Sequence, residues 1–227
     1  TSTDFSTWNS FSTGLTNQAI QKLAVSDDYY YAAGWDGKIF RSPRSAANWI
    51  EITYTSVSGY VYDLFVSSTG DLYYLFDEEV YKSTNNGDDW IDVGGGVSGY
   101  SFSMAEHSNG DIYFGTSDGV YRSTDAGNSW TKDVSGLTDG ALSLAINSNG
   151  SIFAGGYNST SRSNDLGQTW TPFTSGIFNC RIIDLTFGSG DILFAAAEKM
   201  GIYRTTSAIT SVDENNNQVL NSFILEQ

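Results

Sequence analysis

The sequence predicts an all-β protein built from a repeated four-stranded sheet, and three observations lead to this fold class. Five of the six tryptophans recur at intervals of 40 or 41 residues along the 227-residue chain. Aromatic residues make up 15% of the chain, which is typical of strand-rich proteins. There are 24 glycines but only two prolines, which favours strands joined by tight turns. The recurring tryptophans are Trp8, Trp49, Trp90, Trp130 and Trp170.

A matching short segment precedes each tryptophan after the first, which identifies a true internal repeat. These segments are 39–42, 80–83, 120–123 and 161–163, and a fifth copy at 202–205 has no tryptophan after it. Within one repeat, residues 141–147 alternate as an inner strand and residues 151–156 follow a Ser-Asn-Gly turn. Two further strands lie around Arg162 and Trp170. Short strands that reverse at Gly, Asn and Asp predict antiparallel hairpins.

Such a sheet has two apolar faces and must stack on its neighbours, which predicts a β-propeller of four-stranded blades over residues 1–206. The last blade has only three predicted strands, and Trp8 occupies the expected tryptophan position. We therefore predict that residues 1–12 supply its outer strand and close a five-bladed ring without an open edge. A larger ring of six or seven blades is the alternative. The predicted blades are about 19–54, 60–94, 100–134, 141–174 and 181–206 plus 1–12.

Two of the turns that precede a tryptophan carry a recognisable motif. Residues 123–130 and 163–170 fit S-x-D-x-G-x-x-W, whereas Asn85 replaces the aspartate in an earlier copy. These turns resemble the Asp-box, or BNR repeat, of sialidase-like propellers. The resemblance implies a structural turn in which Asp accepts hydrogen bonds, Gly adopts a positive φ and Trp packs between blades. The residues concerned are Asp125, Gly127, Trp130, Asp165, Gly167 and Trp170.

Residues 207–227 leave the repeat and become polar, with three consecutive asparagines at 215–217. We predict a C-terminal tail or linker for this segment. It resembles the segment that precedes the C-terminal sorting domain of type IX secretion cargo. That resemblance implies an extracellular or cell-surface protein, and an ordinary acidic linker is the alternative.

Charge and composition restrict the partners and cofactors. The net charge of −15 disfavours nucleic acids and anionic membranes, which bind clustered Lys and Arg. No apolar run is long enough to span a bilayer. With one cysteine, Cys180, and one histidine, His107, neither an internal disulfide nor a common zinc site is expected. We expect a monomer without cofactor or metal, whose partner is a glycan or a surface protein.

The candidate ligand site lies on the loops that join strands two and three of each blade. In propellers these loops share a face with the loops between blades. Together they carry a ring of carboxylates and amides with aromatic side chains nearby, which are the ingredients of a sugar site. The alternative is that these residues only make hairpin turns. The candidates are Trp35, Asp36, Tyr60, Asp77, Tyr100, Asp118, Tyr157, Asn158, Phe178 and Glu198.

The arginine pattern argues against sialidase chemistry. Sialidases clamp a substrate carboxylate with three arginines, but here Arg41, Arg122, Arg162 and Arg204 share one scaffold position of the repeat. A glycoside hydrolase that uses two carboxylates of the acidic ring remains an alternative, because such enzymes need two carboxyl groups at a suitable separation. The leading hypothesis is a secreted, non-catalytic binding module, with a glycan as candidate ligand.

Overall fold

The structure is a computed structural model of the chain. It describes residues 10–16, 19–46, 48–53, 60–76, 78–133, 135–137, 139–173, 177, 179–209 and 223–225. Within these ranges there is no helix, and therefore none with the length and apolarity that a membrane crossing requires.

Twenty strands form five four-stranded antiparallel sheets, each a blade with its strands in chain order. Blade 1 contains β1 (Ile20–Val25), β2 (Tyr29–Gly34), β3 (Ile39–Pro43) and β4 (Ile50–Glu51). Blade 2 contains β5 (Val61–Val66), β6 (Leu72–Phe76), β7 (Glu79–Ser83) and β8 (Ile91–Asp92). Blade 3 contains β9 (Ser101–Glu106), β10 (Ile112–Thr116), β11 (Gly119–Ser123) and β12 (Thr131–Asp133).

Blade 4 contains β13 (Ser143–Ile146), β14 (Ile152–Gly155), β15 (Thr160–Ser163) and β16 (Thr171–Pro172). Blade 5 contains β17 (Ile182–Phe187), β18 (Leu193–Ala197), β19 (Gly201–Thr205) and β20 (Phe223–Leu225). The blades pack on one another in chain order from blade 1 to blade 5, so the predicted five-bladed, all-β propeller is confirmed.

Successive blades pack through one recurring apolar position on the innermost strand. The four residues at this position in blades 2 to 5 are between 4% and 6% exposed, and each belongs to a core cluster shared with the preceding blade. They are Leu64, Met104, Leu144 and Leu185. The repeat is therefore stabilised mainly by burial between neighbouring sheets.

A line of hydrogen bonds near the axis reinforces this packing. The backbone N–H of Met104 donates to the Asp63 carboxylate (2.8 Å), and the N–H of Leu144 donates to Ser103 Oγ (3.1 Å). In the same way the N–H of Leu185 donates to Ser143 Oγ (2.7 Å). Blades 2, 3 and 4 thus each offer a side-chain acceptor to the innermost strand of the next blade.

The turn at Asp125 has the geometry that the motif predicts. Asp125 Oδ1 accepts a hydrogen bond from the Ser129 N–H (2.8 Å), and its Oδ2 accepts one from Ser129 Oγ (2.6 Å). Gly127 has a φ of +83°, and its N–H donates to Ser123 Oγ (2.7 Å). All these bonds lie inside the turn, and Asp165 repeats them at the next blade. The motif therefore acts structurally at both positions.

Trp90 and Trp130 each form a hydrogen bond to the preceding blade. Trp90 Nε1 donates to the Ile52 carbonyl (2.8 Å), just beyond the end of the preceding blade's outer strand. Trp130 makes the same bond to the Val93 carbonyl, at 2.7 Å. Trp49 makes it to the Phe11 carbonyl, at 2.8 Å. Residues 10–15 thus contact Trp49 of blade 1 in the same way that the end of an outer strand contacts the tryptophan of the next blade.

The outer strand of blade 5 corrects the prediction for the two ends of the chain. β20 pairs with β19 in the register Tyr203↔Leu225, Arg204↔Ile224 and Thr205↔Phe223. The sequence predicts that residues 1–12 form the outer strand of blade 5. In the structure that strand is instead β20, which lies in the predicted C-terminal tail. Trp8 lies outside the described residues. The repeat pattern missed this strand because an edge strand is held mainly by backbone hydrogen bonds, which leave little trace in sequence.

The beginning of the predicted tail also joins the core. Ile209 is buried in the blade 4–blade 5 cluster, its N–H donates to the Asp191 carbonyl (3.0 Å) and its carbonyl accepts from Asn147 Nδ2 (3.0 Å). Cys180 is buried in the same cluster, and burial raises the pKa of its thiol. These contacts agree with a small apolar role for the cysteine.

Candidate functional site

The structure brings the two predicted sets of loops together on one face, which we call the loop face. The N–H of Tyr100, in a loop between blades, donates to Ser117 Oγ in a strand two–three loop (3.1 Å). The N–H of Glu198 likewise donates to the Arg181 carbonyl (2.8 Å). Side-chain positions on this face are therefore fixed by contacts between the loops as well as by the strands.

An aromatic pair on the loop face lines a groove between blades 1 and 2, which we call the aromatic groove. The rings of Trp35 and Tyr60 meet edge to face with centroids 4.6 Å apart, yet the two residues remain 51% and 47% exposed. The groove has a volume of about 330 Å³. Its lining residues are Gln21, Lys22, Trp35, Tyr60, Val61 and Tyr62.

Irregular strand pairing creates part of this groove. The register of β1 shifts between Ile20 and Lys22, and that of β5 shifts between Val61 and Asp63. Gln21 and Tyr62 fall in these shifts, as the extra residue of a bulge does. The sequence prediction missed Gln21, Lys22 and Tyr62 because it considered only loops, and a bulge leaves no motif in the sequence.

The four described aromatic candidates do not meet in one pocket. Tyr100 borders a second groove of about 430 Å³ together with Phe76, Glu78 and Glu79. Tyr157 lies further round the face, under the Arg181 guanidinium at 5.6 Å from the ring centroid. Only Trp35 and Tyr60 are in mutual contact among the described aromatic candidates.

The described acidic and amide candidates are engaged locally rather than directed at a common centre. Asp36 Oδ1 accepts the N–H of Lys38 (3.2 Å), which is ordinary turn geometry. Asn158 donates to the Asp139 carboxylate, and Glu198 lies 3.9 Å from Arg181 Nη1. Asp77 and Phe178 lie outside the described residues. These contacts favour the hairpin-turn interpretation for the acidic positions.

Asp118 is bound in the same local way, and its environment favours the ionised form. Lys132 Nζ lies 2.5 Å from Asp118 Oδ2, and Ser98 Oγ donates to the same oxygen at 2.7 Å. The hydrogen bond from Lys132, followed by that from Ser98, lowers the pKa of Asp118. Across the described ranges, no three His, Cys, Asp or Glu side chains come together as a metal site requires.

Asp63, a carboxylate next to the aromatic groove, has a raised pKa, in contrast to Asp118. Asp63 accepts the N–H of Met104 and the N–H of Leu64 (3.0 Å), and it lies 3.7 Å from Lys22 Nζ. Burial raises the pKa of the Asp63 carboxyl, and this effect exceeds the lowering caused by Lys22 and the two amides.

This shift predicts a measurable pH dependence. Because the folded-state pKa of Asp63 is raised above the ordinary value of 3.8, its contribution to stability is full below that value and is lost as the pH rises through the raised pKa. The unfolding free energy of the wild type minus that of Asp63→Asn should therefore increase as the pH falls from about 7 to about 4. Urea unfolding at a series of pH values measures this difference.

Asp118→Asn is the matched control for this experiment, because the pKa of Asp118 is lowered. Its stabilising contribution is present above the ordinary pKa of 3.8 and is lost as the pH falls through the lowered pKa, so the difference between wild type and Asp118→Asn should stay nearly constant from about pH 7 to about pH 5 and should decrease at lower pH. If the two differences in unfolding free energy changed with pH in the same way, the raised pKa could not be assigned to Asp63.

Comparison with solved structures supports the architecture. The fold is similar to the extracellular domain of BT4673 from B. thetaiotaomicron, with a TM-score of 0.68, 14% identity and coverage of 88% of this chain. It is also similar to virginiamycin B lyase from Staphylococcus aureus, with a TM-score of 0.69, 20% identity and coverage of 85% of this chain. A third similar structure is YCF48 bound to D1 peptide, with a TM-score of 0.66, 14% identity and coverage of 86%. The chain spans 28%, 69% and 68% of those three chains, respectively.

These identities are low enough that the similarity extends to the fold alone. No protein-family profile matches the sequence, and no curated protein matches it significantly.

Proposed function

We propose that this chain is the binding module of an extracellular or cell-surface protein and that it recognises a glycan in the aromatic groove. The single observation that carries the proposal is the exposed Trp35–Tyr60 pair. Two large rings held edge to face offer an apolar platform at little entropic cost, since each has only two side-chain torsions.

The polar groups around the platform suit a hydroxyl-rich ligand. Gln21 supplies an amide with both donors and an acceptor, and Lys22 supplies an ammonium donor. Binding sites for small ligands typically combine aromatic walls with a few directed polar groups. A glycan fits this combination because one face of a sugar ring is apolar and its edge carries hydroxyls.

One resemblance supports an extracellular role. The tail resembles the segment before a type IX sorting domain. The neighbour BT4673 was solved as an extracellular domain, and YCF48 was solved with a bound peptide. Propellers of similar shape are thus found both outside cells and with bound partners, which is compatible with a binding role here.

Glycan binding is tested by removing the platform. Trp35→Ala and Tyr60→Ala should each weaken binding to a ligand found on a glycan array by at least about tenfold, because buried aromatic anchors dominate such contacts. Ile91→Ala is the control, since Ile91 is 54% exposed on the outer strand β8, away from the groove. Calorimetric titration of the four proteins measures the effect.

Two results would contradict the proposal. One is the absence of wild-type binding on a broad array. The other is polysaccharide turnover that Asp118→Asn abolishes, which would support the glycoside hydrolase alternative. The salt bridge to Lys132 makes Asp118 a poor proton donor, because a general acid needs a raised pKa.

A further inference from the structure

The boundary between blade 5 and blade 1 differs from the four interfaces between successive blades. We call the face of a blade that packs on the next blade in sequence its leading face, and the face that packs on the preceding blade its trailing face. Four core clusters join a leading face to a trailing face across the interfaces of blades 1–2, 2–3, 3–4 and 4–5. Among the described residues, no such cluster joins blade 5 to blade 1.

The trailing face of blade 1 is uncovered at the position that is buried in every other blade. Leu23 pairs with Ala32 in the same register in which Leu64 pairs with Tyr74. Leu23 is 71% exposed, whereas its counterparts in blades 2 to 5 are at most 6% exposed. Val25 on the same strand is 54% exposed.

The leading face of blade 5 is uncovered in the complementary way. Ile202 pairs with Ala196 as Ile39 pairs with Ala33, and it is 60% exposed. The four equivalent residues of blades 1 to 4 are all fully buried. They are Ile39, Val80, Val120 and Thr160.

The polar pattern of the repeat also ends at these two faces. Asp184 occupies the register position of Asp63, Ser103 and Ser143, which accept an N–H from the following blade. Asp184 is exposed on blade 5. In blades 2 to 4 this acceptor binds the backbone N–H of Met104, Leu144 or Leu185. The residue of blade 1 at that register position is Leu23, so its N–H is the donor that would match Asp184.

From these observations we infer that the leading face of blade 5 in one molecule binds the trailing face of blade 1 in a second copy of this chain. Each chain carries one uncovered face of each kind, and the same two kinds of face already pack on each other four times within the chain. The contact is heterologous, so it produces head-to-tail assemblies rather than an isologous dimer. This inference replaces the monomer that the sequence predicts.

The receiving surface on blade 1 has room for an inserted side chain. A groove of about 460 Å³ runs along the trailing face, with Ala32 and Trp49 buried at its base. Ile202 and Phe194, on the leading face of blade 5, are the residues that would enter it. The groove is bounded by Phe11, Leu15, Leu23, Val25 and Tyr30.

Sedimentation velocity over about 1 to 100 µM tests the contact, because a weak protein interface dissociates in this range. We expect the full-length wild-type chain to form concentration-dependent assemblies, and Leu23→Asp and Ile202→Asp each to abolish them. Each variant keeps one intact face, so an equimolar mixture of the two should form a 1:1 dimer that does not grow further. Ile91→Asp is the control and should assemble as the wild type does.

Two results would overturn the inference. The first is assembly of Leu23→Asp or Ile202→Asp to the wild-type extent. The second is a wild type that stays monomeric over the whole range; if both variants but not Ile91→Asp then destabilise it, the ring closes within one molecule.

Discussion

Leu64→Ala is expected to lower the free energy of unfolding by about 2–5 kcal/mol, the usual cost of removing a buried leucine side chain. Leu64 is 4% exposed and lies in the cluster that joins blades 1 and 2. Leu23 occupies the same register position in blade 1 but is 71% exposed. Leu23→Ala should therefore change the unfolding free energy by less than about 0.5 kcal/mol.

The pair is informative because the two substitutions are chemically identical and differ only in whether a preceding blade covers the side chain. Urea unfolding followed by tryptophan fluorescence measures both, at protein concentrations low enough to avoid association. If Leu23→Ala cost as much as Leu64→Ala, blade 5 would have to cover blade 1 in solution.

Trp90→Ala is expected to destabilise the protein by about 3–5 kcal/mol, because it removes a large buried ring and leaves a cavity between blades. Trp90 is 6% exposed, its ring meets Tyr74 edge to face with centroids 4.8 Å apart, and its Nε1 donates to the Ile52 carbonyl. A change of this size is a large fraction of the stability of a typical domain.

Trp90→Phe separates the packing from the hydrogen bond. Phenylalanine retains much of the ring volume but leaves the Ile52 carbonyl without its indole donor, so a loss of about 1–3 kcal/mol is expected. Thermal unfolding of the wild type and the two variants gives the order of stabilities. Equal stability of wild type and Trp90→Ala would show that the repeat tryptophans do not hold the blades together.

The features predicted best from sequence are those whose contacts are local. The Asp125 turn closes its hydrogen bonds between Ser123 and Ser129, so the motif contains both partners of each bond. The order of the four strands within a blade followed from the tryptophan spacing for a similar reason, since blades 1 to 4 are each one continuous repeat.

The candidate site was predicted only in part. Trp35 and Tyr60 were named from their loops, and the structure places them in contact. Lys22 and Tyr62 complete the groove from the innermost strands, where shifts in register decide which way a side chain points. The sequence allowed the acidic positions to form either a ligand site or ordinary hairpin turns, and in the structure Asp36 and Asp118 bind partners in their own blades.

The sequence by itself determined the repeat and the chemistry of the Asp125 and Asp165 turns, because these depend on residues within about forty positions of one another. Only the tertiary structure decided that β20 occupies the outer edge of blade 5 and that Leu23 and Ile202 stay exposed. Edge pairing through the backbone accepts many sequences, and burial depends on which sheet lies opposite a side chain. The repeat pattern of one chain does not contain that information.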